Sequence, residues 1–236
     1  MGDESIIEIS GISKSFGKNK VLNNLDLKIN EGEILGLIGK SGCGKSTLMK
    51  ILLGVYKGDK GNITIDGNKN PQNIRHYIGY TTQENSFYDK LTIFENMKYY
   101  ANLYSLGKKQ LPNGLNEHID KILDSVGLLK SKDTISARIS GGMKRRLDFA
   151  ISLIHDPKIL ILDEPTTGLD PILVKGFWNI VKEVSKTGKT VIVSSHIFSE
   201  IQSNCTKVGI ISKGKITKTM KISEKTNLFK IFSEFA

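Results

Sequence analysis

The chain has 236 residues, of which 39% are hydrophobic and 25% charged, so it can bury one large core and is neither a disordered nor a disulfide-stapled chain. Its two cysteines, Cys43 and Cys205, cannot form a disulfide framework, which indicates a reducing compartment. The net charge is +10, but the lysines are spread along the chain, which favours a solvated surface over a nucleic-acid site and leaves open an anionic lipid or phosphate contact for some of them.

Membrane and export signals are missing from the sequence. No apolar run approaches the roughly 18 residues of a membrane span. The segment Met1–Ser5 is acidic and lacks the basic start and apolar stretch of a signal peptide. We therefore expect a cytoplasmic protein that lies at the cytoplasmic face of a membrane only if a partner recruits it.

The N-terminal third alternates between strand patterns and one helix. Polar–apolar alternation and turn residues predict strands at Ile6–Ser10, Leu25–Ile29, Glu33–Ile38 and Asn62–Ile65, and helical spacing predicts a helix at Ser46–Leu53. The dipeptide Asp66-Gly67 is a hairpin signal directly after the last of these strands.

The middle of the chain changes to helical spacing from about Thr92 to Lys130, and we interpret 85–155 as a helical insertion. The flanking parts, 1–84 and 156–236, then form one α/β core that begins with an antiparallel β region. The core resumes with predicted strands at Lys158–Leu162 and Thr190–Ser194 and a hairpin at Val208–Thr219. The tail from Leu228 to Phe235 has helical spacing, and either packing on the core or partner binding would explain it.

The nine residues Gly39-Lys40-Ser41-Gly42-Cys43-Gly44-Lys45-Ser46-Thr47 lie between the predicted strand and helix and match the phosphate-loop pattern G-x-x-x-x-G-K-[ST]. The glycines let backbone N–H groups turn toward phosphate oxygens, and the helix presents its positive end to the same anion. Lys45 then supplies a positive charge near the β- and γ-phosphates, and Ser46 a hydroxyl for Mg²⁺. The loop predicts a nucleotide-binding site.

Two acids, Asp163 and Glu164, end the predicted strand at Lys158–Leu162. Carboxylates at the end of a parallel strand lie in the crevice where nucleotides bind. Asp163 is a candidate ligand of Mg²⁺, and Glu164 a candidate base that orients or deprotonates the attacking water. Together with the phosphate loop, the pair predicts an NTPase.

A third motif, Ile139-Ser140-Gly141-Gly142-Met143, resembles the signature motif of the ATP-binding cassette (ABC) family, usually written LSGGQ. The order of the other motifs is also similar to that family. Gln83 resembles its Q-loop residue, Asp170 its D-loop residue, His196 its switch histidine and Phe16 its adenine-stacking aromatic residue. The resemblance covers nearly the whole chain.

The resemblance implies a P-loop NTPase fold, with an N-terminal antiparallel β subdomain and an inserted helical subdomain, that binds ATP and Mg²⁺. It implies that Gln83 contacts Mg²⁺ or the lytic water and that His196 contacts the γ-phosphate. It also implies a head-to-tail pair of cassettes, identical or homologous. In such a pair the segment Ser140–Met143 contacts the partner's nucleotide and Asp170 acts across the interface.

The signature departs from the family pattern, with Ile139 where Leu is usual and Met143 where Gln is usual. The sequence Ser140-Gly141-Gly142-Met143 followed by Lys144-Arg145-Arg146 resembles the branch that exports drugs, lipids, polysaccharides or ions. Met143 lacks the hydrogen-bonding amide of Gln. A separate membrane permease is implied, and Phe87, Tyr88 and Phe94 are expected either to be exposed for docking its coupling helix or to pack inside the helical insertion. A non-transport ABC ATPase, such as a cofactor-assembly ATPase, is the alternative.

Overall fold

The computed structural model describes residues 5–69, 74–82, 84–107 and 110–235. In these ranges, two long strands come first, three α-helices follow one another in the middle, and the predicted α/β fold is confirmed. None of the helices in the described ranges has the length and apolar character needed to cross a membrane.

The N-terminal region forms a four-stranded antiparallel sheet, in the order β2-β1-β4-β5. Its strands are β1 (Ser5–Phe16), β2 (Asn19–Asn30), β4 (Lys60–Ile65) and β5 (Asn68–Lys69). Asp66 and Gly67, which turn the chain between β4 and β5, both have positive φ angles, of 50° and 73°. Positive φ at both central residues is the geometry that matches the twist of a two-residue hairpin, so the predicted hairpin is confirmed.

The second sheet has six strands in the order β10-β9-β3-β8-β7-β6, and its neighbours are parallel except at the β10 edge. The strands are β3 (Ile34–Ile38), β6 (Ile78–Thr81), β7 (Ile159–Asp163), β8 (Thr190–Ser194), β9 (Lys207–Ser212) and β10 (Lys215–Lys221). The central strands are buried on both faces, which explains why their sequences are continuous apolar runs.

Two hydrophobic clusters cover the two faces of this sheet. Alternate residues of each strand enter different clusters: in β7, Leu160 and Leu162 belong to one, while Ile159 and Ile161 belong to the other. The first cluster packs against most of the helices, and the second lies between the two sheets and includes the apolar face of the first helix. The sheet is therefore the middle layer of the molecule, and its strand ends are held rigidly.

Seven helices complete the described fold: α1 (Lys45–Leu52), α2 (Ile93–Leu103), α3 (Leu115–Ser125), α4 (Gly141–Leu153), α5 (Pro171–Lys186), α6 (Phe198–Asn204) and α7 (Leu228–Phe235). A capping box starts α2, since the Thr92 hydroxyl accepts from the Glu95 amide and the Glu95 carboxylate accepts from the Thr92 amide. Helix α4 packs closely on β6. An added Cβ atom at Gly79 of β6 would lie only 2.1 Å from the carbonyl oxygen of Ser152 in α4.

The sequence left open whether the tail packs on the core and whether the aromatic residues Phe87, Tyr88 and Phe94 are exposed. Leu228 is fully buried and Ile231 packs against the larger cluster, so α7 packs on the core. Phe87 is buried, and Phe94 packs partly buried against the same cluster. Of the two alternatives for Phe87, the structure shows packing in the core, whereas Tyr88 is half-exposed.

Candidate functional site

Four parallel strands end at the same edge of the six-stranded sheet, and most of the predicted site residues follow them. The phosphate loop follows β3, Asp163 and Glu164 come at the end of β7, and His196 follows β8. Gln83 follows β6, but it lies outside the described residues. An open cavity of about 450 Å³ lies at this edge, a volume suited to a small ligand. Its walls are Val21, Gly39, Ser41, Gly42, Gly44, Lys45, Ser46, Thr47, Asp163, Glu164 and His196.

The phosphate loop bends through two glycines with positive φ angles, 75° at Gly42 and 112° at Gly44. A side chain would be strained at either position. The Lys45 ammonium donates to the carbonyl oxygens of Gly39 and Lys40, at 2.7 and 3.2 Å, and so spans the loop. Helix α1 begins at Lys45, and the first N–H groups of a helix lack intrahelical partners. This wall of the cavity therefore favours an anion.

The two acids also line this cavity, and Ser194 holds both of them. The Ser194 hydroxyl donates to Oδ1 of Asp163 and accepts from the Glu164 amide at 3.1 Å. The same amide also approaches the Ser194 carbonyl oxygen, at 3.1 Å. Ser194 was not among the predicted site residues, because its role depends on the pairing of β7 with β8.

Glu164 has a left-handed backbone, with φ of 46°, which is strained in a residue with a side chain. Such strain costs about 1–3 kcal/mol and persists only where the surroundings impose it. Its carboxylate Oε2 lies 3.3 Å from Nδ1 of His196 and accepts from the Thr167 hydroxyl at 3.3 Å. The structure therefore brings Glu164 and His196 together.

Tyr80 lies behind the acids on β6. Burial, followed by the charge and hydrogen bond of the Asp163 carboxylate, raises the pKa of the Tyr80 hydroxyl. Tyr80 is thus a neutral hydrogen-bonding group beside Asp163.

The signature residues begin helix α4 and are not among the residues that line this cavity. The Ser140 hydroxyl accepts from the Met143 amide at 3.3 Å, so Ser140 is the N-cap of α4. The ideal Cβ at Gly141 has no neighbour within 4 Å, so this turn is open, whereas Gly142 packs against Leu173. Met143 packs partly buried against the larger cluster.

Asp170 and Phe16 also lie outside the set of cavity-lining residues. The Asp170 carboxylate accepts from the amides of Ile172 and Leu173, at 2.9 and 3.0 Å, and caps α5. The Phe16 ring is 44% exposed and packs edge-on against Tyr56, with 5.3 Å between the ring centroids. The Lys14 ammonium lies over the same ring, 5.5 Å from its centroid.

Arg145, in the second turn of α4, is a buried cation to which the sequence motifs assign no role at the site. Burial lowers the pKa of its guanidinium, and the carboxylates of Asp148 and Asp163 oppose that shift. The triplet Lys144-Arg145-Arg146 has the appearance of a solvated face. Only the helical spacing, with the buried positions Gly142 and Phe149 three and four residues away from Arg145, indicates that Arg145 points inward.

The donors at the cavity fit a magnesium ion. Among the described residues no cluster of three or more His, Cys, Asp or Glu side chains is arranged to hold a metal by itself. Mg²⁺ needs no such cluster, because it is held by one or two protein oxygens together with waters and substrate phosphates. Ser46 and Asp163, which both line the cavity, offer a hydroxyl and a carboxylate of that kind.

Comparison with known proteins finds the same family that the sequence motifs resemble. Residues 22–167 match the family model described as ABC transporter. The chain is 36% identical over 228 residues to a lantibiotic transport ATP-binding protein of Streptococcus pyogenes, covering 97% of this chain and 96% of that protein. It is 37% identical over 216 residues to a bacitracin transport ATP-binding protein of Bacillus licheniformis, covering 90% and 68%. It superposes with a TM-score of 0.85 and 25% identity on an ATP-binding cassette in its ADP conformation, over 98% and 96% of the chains.

Cys43 provides a test of occupancy at the phosphate loop, since the residue is partly buried in this loop and its sulfur lies 3.9 Å from the Lys45 ammonium. We expect bound ATP with Mg²⁺ to shield this thiol from alkylation. At a concentration near 100 times the dissociation constant, alkylation should slow by about 100-fold if only the free protein reacts. Mass spectrometry of the alkylated peptides measures both cysteines.

Cys205 is the internal control for that experiment. It is buried, and burial raises the pKa of its thiol to about 12, so it should stay unmodified with or without ATP. Equal alkylation rates of Cys43 with and without saturating ATP would contradict a nucleotide site at this loop.

Proposed function

The chain belongs to the ABC transporter family of ATP-binding proteins, and from this premise we propose that it powers export through a separate membrane permease. Members of this family bind and hydrolyse ATP to power transport. The observation that carries the proposal is one cavity whose walls combine a phosphate loop, two carboxylates and a histidine. The phosphate loop supports anion binding, and the acids support hydrolysis.

Each wall of the cavity supports a separate part of the reaction. Lys45 and the first amides of α1 bind and orient the β- and γ-phosphates. Glu164 accepts a proton from the attacking water or orients it, and His196, 3.3 Å from its carboxylate, positions the γ-phosphate and the water. The role of Gln83 rests on the family resemblance alone.

Ser46 and Asp163 would hold Mg²⁺ together with the nucleotide phosphates. The ion, when bound, neutralises charge on the phosphate oxygens. Ser194 supports this assignment, because its hydroxyl fixes the orientation of the Asp163 carboxylate.

Two cassettes, identical or homologous, are proposed to bind ATP between them. The capped start of α4 at Ser140 is an open helix N-terminus that can receive the γ-phosphate held by a second copy. Ile172, next to Asp170, is 84% exposed, and an apolar side chain of that size beside the D-loop residue suits an interface. Phe16 would stack on adenine.

The helical segment 85–155 is proposed to act as a subdomain that receives the permease at the cytoplasmic face of the membrane. Tyr88, Tyr99 and Leu103 are exposed on it, and the two tyrosine hydroxyls are 3.1 Å apart. Aromatic and apolar side chains of this kind are enriched where proteins dock. Two of the relatives are named as lantibiotic and bacitracin transport ATP-binding proteins. These names favour the function of an exporter, with Met143 in its signature, over that of a cofactor-assembly ATPase.

Glu164→Gln should lower the turnover of ATP by about 10²–10⁴-fold, the usual contribution of a general base, and should leave ATP binding intact. Phosphate release measures turnover, and fluorescent-nucleotide titration measures binding. Lys45→Ala is the contrasting variant, because it should weaken the binding of ATP itself. Turnover by Glu164→Gln at the parental rate would exclude Glu164 as the base.

Ser140→Arg should block ATP-driven dimerisation, because a long cation would fill the open start of α4. We expect the Glu164→Gln protein to sediment as a dimer with ATP and the Ser140→Arg, Glu164→Gln double variant to remain a monomer. Ser125→Arg, at the exposed end of α3, is the control that adds the same side chain elsewhere. A normal dimer of the Ser140→Arg double variant would contradict the shared ATP site.

A pull-down tests the permease. Tagged Glu164→Gln protein with ATP should recover a polytopic membrane protein from detergent-solubilised membranes, identified by mass spectrometry. Tyr88→Ala should reduce that recovery, whereas Phe229→Ala, which removes an exposed aromatic residue from α7, should not. Recovery of soluble partners alone would contradict the export proposal and favour the non-transport ATPase.

A further inference from the structure

Arg145 is buried in a place where its charge needs many acceptors. Its side chain lies on the second turn of α4, and the residue is only 6% exposed. A guanidinium carries five N–H donors and stays charged, so burial without acceptors is strongly unfavourable. The arrangement of its acceptors therefore indicates what this side chain stabilises.

The acceptors include backbone carbonyl groups of two segments at the edge of the cavity. Nε donates to the carbonyl oxygen of Pro165, and Nη2 donates to that of Glu164 at 3.0 Å. Nη1 donates to the carbonyl oxygen of Thr82 at 2.7 Å. One planar group thus joins the start of α4 to the chain after β7 and to the chain after β6.

The contact with Glu164 bears on the reaction, because the Glu164 backbone is held in a left-handed conformation with φ of 46°. Ser194 fixes the amide of this residue, and Arg145 fixes its carbonyl group and the next one. With both peptide groups held, the direction in which the Glu164 side chain leaves the backbone is also held. The carboxylate is thereby directed toward His196.

Asp148 adds a second link between α4 and the chain after β6, one turn beyond Arg145. Its Oδ1 accepts from the amide and the hydroxyl of Ser86, at 2.8 and 2.7 Å. Thr82 and Ser86 are therefore both tied to α4. A shift of α4 along its axis would move the backbone next to Glu164 together with these two residues.

We propose that Arg145 is a positioning residue for ATP hydrolysis, which orients the general base Glu164 by holding the carbonyl groups of Glu164 and Pro165 against the start of the signature helix. The proposal rests on the proposed function, in which Glu164 is the base. Lysine cannot replace Arg145 in this role, because an ammonium group lacks the planar fork that reaches both carbonyl groups and Thr82 at once.

The test compares Arg145→Lys and Arg145→Gln with the parental protein in steady-state ATP hydrolysis and nucleotide titration. We expect kcat to fall by about 10–100-fold, as when a group that orients a catalytic residue is removed, while the dissociation constant of ATP changes by less than about twofold. Arg146→Lys and Arg146→Gln are the matched controls, because the Arg146 guanidinium lies beside Gly127 and Gly176. Both controls should keep the parental kcat.

A double variant separates action through Glu164 from a general loss of structure. In the Glu164→Gln background, Arg145→Lys should cause no further decrease in the residual hydrolysis, because the group that it orients is already gone. A further decrease by the same factor as in the parental background would overturn the proposal. So would a parental kcat in Arg145→Lys.

Failure of the proposed function would give a different experimental result from failure of the proposal for Arg145 alone. If the parental protein binds but does not hydrolyse ATP, or if Glu164→Gln hydrolyses it normally, the assignment of the base is wrong, and the proposal for Arg145 fails with it. Arg145→Lys keeps the charge and most of the stem, so it tests the inference even if Arg145→Gln does not fold, which circular dichroism would show. A weaker affinity for ATP with an unchanged kcat would also overturn the inference.

Discussion

Parallel pairing of β3, β8, β7 and β6 is the constraint on which the site depends. Parallel neighbours end at the same edge of a sheet, so residues far apart in sequence meet where these strands stop. The register is explicit at the acids, where Asp163 of β7 pairs with Ser194 of β8 and Leu37 of β3 pairs with Ser194 on the other side. A slip of one residue would turn the side chains of a strand to the opposite faces of the sheet and remove the Ser194 hydroxyl from Asp163.

Because the sheet is buried on both faces, this edge is stiff enough to hold an unfavourable backbone. Glu164 has a positive φ angle one residue beyond β7, and the surrounding groups that impose it come from two separate elements, Ser194 on β8 and Arg145 on α4. The backbone of the phosphate loop is not strained in this way, because its residues with positive φ angles are glycines. The two walls of the cavity thus reach their geometry differently: one by local chain flexibility, the other by tertiary contacts.

That difference explains what the sequence could predict. The phosphate loop Gly39–Thr47 and the signature Ser140–Met143 are each contiguous in sequence, so a pattern of neighbouring residues is enough to identify them. Ser194 and Arg145 act on Glu164 across 30 and 19 residues of sequence, and no local pattern marks them. The sequence left open whether Phe87 is exposed or packed, and only the tertiary structure shows that it belongs to the larger hydrophobic cluster.

The exposure of Glu164 and His196 to solvent gives a physical reason for a second cassette. The His196 side chain is 61% exposed and that of Glu164 is 25% exposed, so bulk water reaches the groups proposed to handle the attacking water. Electrostatic stabilisation of phosphoryl transfer is much stronger where water is excluded. In the chain alone, the signature residues do not line the cavity and cannot close it. In the proposed pair, the start of the partner's α4 closes the cavity of this chain. Within each chain, Arg145 joins its own α4 to the general base of its own site. Occupancy of the signature by the partner's nucleotide would thus reach Glu164 through one buried guanidinium group.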